Sequence, residues 1–381
     1  MKVAILGFGI VGSGAYETIV ESNCGLAVKR VLDIRVPKGY ENIVTTDYNE
    51  ILNDPEIEAV AEAIGGLHPA YEFVCAALRA GKHVVSANKH LICHAYAELH
   101  KLASENGVQL RFTPSAGGGI PWLYNLRRQK RCDEIYALRG IMNGTTNYIL
   151  DAMTTFGSEF ADVLATAQQL GYAERDPSAD IDGLDVRRKC AISASLAFDA
   201  ALSEDDVPTF GIRNINKSDI AYFESLGLVC KLLATAKKKD GFITAYVEPT
   251  LLPRTATEAG VASNFNCISL WGKRVGLLSF IGQGAGKDPT GCALAQDLCD
   301  IMEGNRLHEA SLAAPRMCRE LFPHRYYVRT SAPISDDVVM RRDGNAVITN
   351  PMTLTEIHAL FDSAIIIDPQ TFVAGLEDSI E

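Results

Sequence analysis

Between Gly171 and Lys189 the chain places Glu174, Asp176, Asp180, Asp182 and Asp185, then Arg187, Arg188 and Lys189. Only then does an apolar, small-residue run, CAISASLAF, begin. Carboxylates beside a lysine suit two different jobs. They can surround the ammonium of an amino-acid ligand while the lysine gives or takes a proton at a reacting oxygen. They can equally finish a helix, with Asp182 at its N-cap, Asp185 in the first turn and Lys189 four residues on, on the same face. The spacing alone allows both readings.

A second group opens the chain. Gly7, Gly9 and Gly12 stand in GFGIVG, between the apolar segment KVAIL and a helical stretch at 11–22. The first glycine of such a loop makes a tight turn, the second lets a pyrophosphate approach the backbone, and the third lets helix pack on strand. The N–H groups of Ile10, Val11 and Gly12 then open a helix whose positive dipole end favours phosphate. The competing reading is a plain glycine-rich turn. Asp33 lies 21 residues beyond Gly12, where an acid would hold the ribose 2′-hydroxyl of NAD. Arg35 and Lys38 come immediately after it and suit a 2′-phosphate, which favours NADP.

Two more polar segments come after strand-like runs. Lys89 closes SANK, just after HVVSA (83–87). Ligands bind at the carboxyl ends of strands in doubly wound sheets, although a surface lysine is the ordinary alternative. NGTT (143–146) is either a helix N-cap or a polar loop at a pocket.

These candidates need elements to hold them. Up to residue 112, strands (2–6, 28–34, 58–64, 83–87, 108–112) alternate with helices (11–22, 69–81, 96–107), which predicts a parallel sheet with crossover helices. From about 134 the rhythm changes. Residues 135–142 read as a strand, and 228–249 and 267–282 as hairpins, so the second domain is α+β. A helix at 290–305 is expected to pack back onto the first domain. The expected boundaries are 1–133, 134–289 and a β-leaning extension at 325–381.

Composition excludes several classes. Hydrophobic residues make up 47% and charged residues 22% of 381, with a net charge of -11. That balance argues against nucleic acid as a partner, because phosphate contacts need clustered cations. The tight basic runs, RRQKR (127–131) and KKK (237–239), read as solvated turns. Ten cysteines contain no C-x-x-C pair, and free thiols fit a reducing cytoplasm. No apolar run is long enough to span a membrane.

Seven motifs in order, GFGIVG (7–12), IGG (64–66), ALRAGKHVVSANK (77–89), SAGGGIP (115–121), GIMNGTTNYIL (140–150), GYAERDPSADIDGLDVRRK (171–189) and FIGQGAGKDPTG (280–291), resemble those of the homoserine dehydrogenase family over residues 1 to about 305. The resemblance implies a Rossmann-type domain, a substrate and dimerisation domain, and interconversion of L-homoserine and L-aspartate 4-semialdehyde with NAD or NADP. It implies a homodimer or homotetramer. It assigns substrate contacts to Glu174 and Asp185, with Asp180 in support and Tyr172, Gly144 and Thr145 lining the pocket. Lys189 becomes the general acid–base. Lys89 lies at the cofactor–substrate junction as a second catalytic lysine that shares proton handling with Lys189, and the other cation and partial burial would lower the pKa of either lysine. Gly286 offers a backbone contact to the cofactor.

The resemblance also implies a monovalent cation, Na+ or K+, on the carbonyls of Thr113, Ala116, Gly118 and Ile120. The family usually has Glu and Val at the first two of these positions. YYVRTSA (326–332) resembles the start of an ACT regulatory domain, but the segment after Ala332 is too short for one and reads strand, strand, helix, strand. Feedback inhibition by threonine is therefore expected to be weak or absent. The alternatives are a dehydrogenase for another amino-acid aldehyde and a nucleotide-binding regulatory protein without catalysis.

Overall fold

The computed structural model describes residues 1–306 and 312–376, so the last five residues of the 325–381 extension lie outside it. The described chain divides into two compact units.

The first unit comprises Met1–Cys132, Ser195–Glu204 and Gly282–Ala314. The excursion at 195–204 leaves no mark on the strand and helix rhythm. The unit's sheet holds β1 (Lys2–Leu6), β2 (Ala27–Leu32), β3 (Val44–Thr45), β4 (Ala59–Glu62), β5 (His83–Ser86) and β6 (Leu110–Arg111), in the order β3-β2-β1-β4-β5-β6. Every pairing is parallel. The order reverses at β1 and β4, and the crevice at that reversal is where doubly wound sheets bind nucleotides. Val3, Ile5, Val31, Ala59, Ala61 and Val85 form the core with Ile19, Leu294 and Leu298. The near-continuous apolar strands are what a sheet covered on both faces requires.

Two expectations change here. β3 is only two residues long, too short to carry an alternating pattern, and was not expected. The helix expected over 96–107 spans Lys89–Glu105, with a kink at Ala95. Its N-cap is Asn88, whose side chain accepts the Leu91 N–H. Lys89 therefore opens a helix rather than ending a strand.

The second unit comprises Asp133–Ala194, Asp205–Ile281 and Pro315–Glu381. Its sheet adds β7 (Ile135–Ile141), β8 (Leu228–Lys239), β9 (Phe242–Pro253), β10 (Phe265–Gly272), β11 (Gly276–Gln283), β12 (Tyr326–Arg329), β13 (Val339–Asp343), β14 (Ala346–Thr349) and β15 (Phe372–Leu376). The order is β11-β10-β7-β8-β9-β15-β12-β14-β13. β8 and β9 form the expected hairpin, turning at Asp240, with φ +52, and Gly241, with φ +79. β15 runs parallel to β9, so the C-terminal strands extend the same sheet. Tyr326, Val328, Val347, Ile357 and Val373 share a core cluster with Phe210. In chain order, three of the C-terminal strands come ahead of one helix, Leu354–Ile367, and β15 follows it.

Candidate active site

In the first unit, the turn after β1 depends on glycine. Gly7 has φ +94, and a Cβ there would lie 2.9 Å from the carbonyl oxygen of Ala63. A Cβ on Gly12 would lie 1.9 Å from the carbonyl oxygen of Gly7, whereas one on Gly9 would meet nothing within 4 Å. The next helix, Ile10–Ser22, has Gly9 at its N-cap and no side chain capping it. The N–H groups of Ile10, Val11 and Gly12 belong to the helix's first turn, where no intrahelical acceptor exists. This open cradle fits a dinucleotide pyrophosphate.

Asp33 serves the same loop. Its Oδ2 accepts the Phe8 N–H at 2.6 Å and its Oδ1 the Arg35 N–H at 3.0 Å. The Arg35 and Lys38 side chains are exposed. Gly286, with φ +126, is the N-cap of the helix Lys287–Met302. That helix crosses the one at 10–22 so closely that a Cβ on Gly14 would lie 2.4 Å from the carbonyl oxygen of Lys287.

Glu62, at the end of β4, went unnoticed in the sequence. It is fully buried and accepts the Ile64 N–H at 2.9 Å and the Ser86 hydroxyl at 2.6 Å. Asn88 Nδ2 reaches it at 3.4 Å and donates to the Gly66 carbonyl at 2.6 Å. Burial raises the Glu62 pKa. Glu62 and Asn88 thus tie the glycine turn after β4 to the helix start at Lys89. An acid inside the apolar run AVAEAI was the available signal.

The 113–120 loop is buried except at half-buried Thr113 and exposed Gly119. The Thr113 N–H and hydroxyl donate to Asp297 at 3.0 and 2.8 Å. Burial pushes the Asp297 carboxyl up to about 6. The Ile120 carbonyl accepts the Trp122 N–H at 2.7 Å. Among the described residues no three His, Cys, Asp or Glu side chains converge as metal ligands, so a cation here would rely on carbonyl oxygens alone, as the large monovalent ions can.

In the second unit, the polar cluster forms at the end of β7. Asn143 caps the helix Gly144–Phe156, its Oδ1 accepting the Thr146 N–H at 2.8 Å. Its Nδ2 donates to Asp180 Oδ1 at 2.7 Å and to Asp185 Oδ2 at 2.9 Å. Lys189, one turn after Asp185 on the helix Leu184–Phe198, donates to Asp185 Oδ2 at 2.7 Å and to the Met142 carbonyl at 2.7 Å. Asp185 is 5% and Lys189 7% exposed. An exposed i,i+4 pair is worth a few tenths of a kcal/mol, whereas a buried one must satisfy both charges to persist. The Thr145 hydroxyl donates to the Tyr172 carbonyl at 2.5 Å, and the Tyr172 ring meets Tyr148 edge-on at 5.1 Å. A Cβ on Gly144 would lie 2.6 Å from the Asn264 carbonyl oxygen.

The structure thus gathers Asp180, Asp185 and Lys189 around Asn143, and joins Thr145 to Tyr172 at the start of the same helix. Asn143 opens the NGTT segment, and the helix N-cap offered for that segment by the sequence is what the structure shows. Glu174 stands apart, its side chain exposed and its carbonyl accepting Gln168 Nε2 at 2.9 Å. Asp182 does not cap the next helix. Its two carboxylate oxygens face Arg213 at 2.7 Å each, and Gly183, with φ +80, makes the turn between.

Family models match both parts of the chain. Residues 7–113 match the homoserine dehydrogenase NAD binding domain, and residues 121–299 match homoserine dehydrogenase. The homoserine dehydrogenase of Synechocystis is 38% identical over 317 residues, covering 79% of this chain and 73% of the relative. That of Corynebacterium glutamicum is 40% identical over 323 residues, covering 80% and 72%. The crystal structure of a homoserine dehydrogenase from Thiobacillus denitrificans superposes with a TM-score of 0.89 at 30% identity, covering 99% of this chain and 98% of the other. A nucleotide cradle, a buried lysine–carboxylate centre and these relatives converge: the chain belongs to the homoserine dehydrogenase family.

Proposed function

We propose that Lys189, held against Asp185, is the acid–base group of the reaction. The chain is an NAD(P)-dependent homoserine dehydrogenase, an oxidoreductase of amino-acid biosynthesis that interconverts L-homoserine and L-aspartate 4-semialdehyde. The observation that carries the proposal is the fixed position of Lys189 Nζ, 2.7 Å from both Asp185 Oδ2 and the Met142 carbonyl. NAD(P), when bound, supplies or accepts the hydride. The chain's own residues do the rest. Lys189 takes the hydroxyl proton as homoserine becomes the aldehyde and returns it in reverse. Asp185 orients Nζ, and Asn143 links it to Asp180. Glu174, Asp180 and Asp185 receive the substrate ammonium, and Tyr172, Gly144 and Thr145 shape the wall. Lys89 is assigned to the cofactor side. NAD(P)H absorbance should fall when L-aspartate 4-semialdehyde is added, and no change with either cofactor would overturn the activity.

NADP is the preferred cofactor, because Asp33 already spends both oxygens on backbone N–H groups beside exposed Arg35 and Lys38. A higher kcat/KM with NAD would reverse this. A homodimer or homotetramer is proposed from β11, an edge strand with Leu277 48% and Ile281 57% exposed. Light scattering tests it, and a monomer at micromolar concentration refutes it. Na+ or K+ on the carbonyls of Thr113, Ala116, Gly118 and Ile120 is part of the proposal, as is a cytoplasmic location. No helix among the described residues is long and apolar enough to cross a membrane. Weak or absent inhibition by threonine is proposed from the strand order of the C-terminal extension.

A further inference from the structure

The first unit contains a cavity of about 710 Å³ that the reaction does not use. Among its lining side chains are Arg111, Arg127, Arg128, Lys130, Arg131 and Arg306, against one lining carboxylate among the described residues, Asp199. Four of the six come from RRQKR, the run that the sequence alone explains as a solvated turn. In a chain of net charge -11, such a focus of positive charge is a local design rather than an average property.

The cations fall into two groups. Arg111 and Lys130 are anchored. Arg111 is 2% exposed and donates to Asp300 at 2.8 Å and to the Asn305 carbonyl. Lys130 donates to Asp199 at 2.5 Å and to the Leu196 carbonyl. Arg127 lies with its guanidinium 4.7 Å from the Phe112 ring centre. Arg128, Arg131 and Arg306 are exposed, and no carboxylate among the described residues lies within ion-pair distance of them. Exposed arginines usually spread apart to reduce repulsion. Here three face one cavity whose floor is a fourth, buried arginine.

The cavity is distinct from the nucleotide cradle. Arg111 ends β6, at one edge of the sheet, and none of Gly7, Gly9, Gly12, Arg35 or Lys38 lines the cavity. Three strand spacings separate β6 from β1, about 15 Å.

We infer that this cavity binds a small organic phosphate. Guanidinium forks pair with phosphate oxygens two at a time, and a tetrahedral phosphate presents oxygens to arginines arriving from several directions. Tyr124, itself lining the cavity and 36% exposed, offers a ring for the organic part. The volume lies within the range of small-molecule pockets.

The test is calorimetric titration with inorganic pyrophosphate, on enzyme saturated with NADP so that the glycine loop is filled, at fixed ionic strength. Pyrophosphate should bind the saturated enzyme. The double variant Arg128→Ala, Arg131→Ala should weaken it about 10-fold or more, the scale of lost charge-assisted hydrogen bonds, with the affinity for NADP unchanged. Arg306→Ala, in a loop, gives an independent check should the double variant fold poorly. Binding that vanishes when NADP saturates would place pyrophosphate on the glycine loop and overturn the inference. So would equal affinity in the variants, or citrate binding as tightly as pyrophosphate, which would reduce the site to a general anion patch.

Discussion

Two of the buried ion pairs among the described residues of the second unit are built for opposite ends. Arg139, on β7, faces Glu258 through Nε at 3.3 Å and Nη2 at 2.9 Å, and the Ser269 hydroxyl adds a bond to the same carboxylate at 3.1 Å. The guanidinium also lies 5.4 Å from the Trp271 ring centre. Lys189 faces Asp185 through one ammonium, with comparable burial. The guanidinium cannot give up its proton in a protein, and its fork locks the geometry. The ammonium is a point charge that can lose a proton when its surroundings favour it. Burial and pairing alone therefore do not mark a reaction centre. On the proposed mechanism the difference lies in the cation, which in one pair can release a proton and in the other cannot.

The largest effect should come from breaking the locked pair. Arg139→Ala leaves Glu258 charged in the interior, and the loss should be about 3–5 kcal/mol of stability. Denaturant melts measure it, and the remaining folded enzyme should keep its kcat. A kcat that collapses at unchanged stability would erase the contrast.

Next is Lys189→Arg, which keeps charge and partner but removes the titratable proton. It should lower kcat by about 100-fold or more while the melting curve stays close to that of the parent. Lys189→Ala is less clean than an exposed helix-mouth lysine would make it, because it also strands the buried Asp185.

Asp297 sharpens the comparison as a buried carboxylate near a cation but not locked to it, its contact with Arg111 being 4.0 Å. Its folded pKa of about 6 lies above the unfolded value. Its contribution to stability is therefore present below pH of about 4 and lost as pH rises through 6. The stability advantage of the parent over Asp297→Asn should shrink by about 1–3 kcal/mol between those limits. Urea melts at pH 4 and pH 7 give the difference, and a constant gap would show that Arg111 compensates fully.

The smallest effect belongs to Glu174→Gln. An exposed carboxylate contributes about 0.2–1 kcal/mol, so KM for homoserine should rise by up to about fivefold at constant kcat. An unchanged KM in steady-state kinetics would remove Glu174 from the substrate site.

Much of this was legible in the sequence for a local reason. The glycine loop, the parallel alternation and the Asp185–Lys189 spacing are properties of neighbouring residues. What escaped depends on partners far along the chain. Asp182 looked like a cap until Arg213, 31 residues away, claimed it. Glu62 looked like a flaw in an apolar strand until Ser86 and Asn88 met it. RRQKR looked solvated because nothing in its own neighbourhood reveals Arg111 or Arg306.

The pairing of β15 with β9 has a consequence for synthesis. β15 is the strand that joins β9 on one side to β12, β14 and β13 on the other. It comes about 120 residues after the end of β9, which at ribosomal speed is about 6–25 s. During that interval the edge of β9 stands open on a nascent chain, and the ribbon of β12, β13 and β14 has no strand to lean on. Bare edges invite pairing with other chains, so the emerging polypeptide is most vulnerable to aggregation just before this strand arrives, and a holdase that covers β9 would raise the yield of active enzyme.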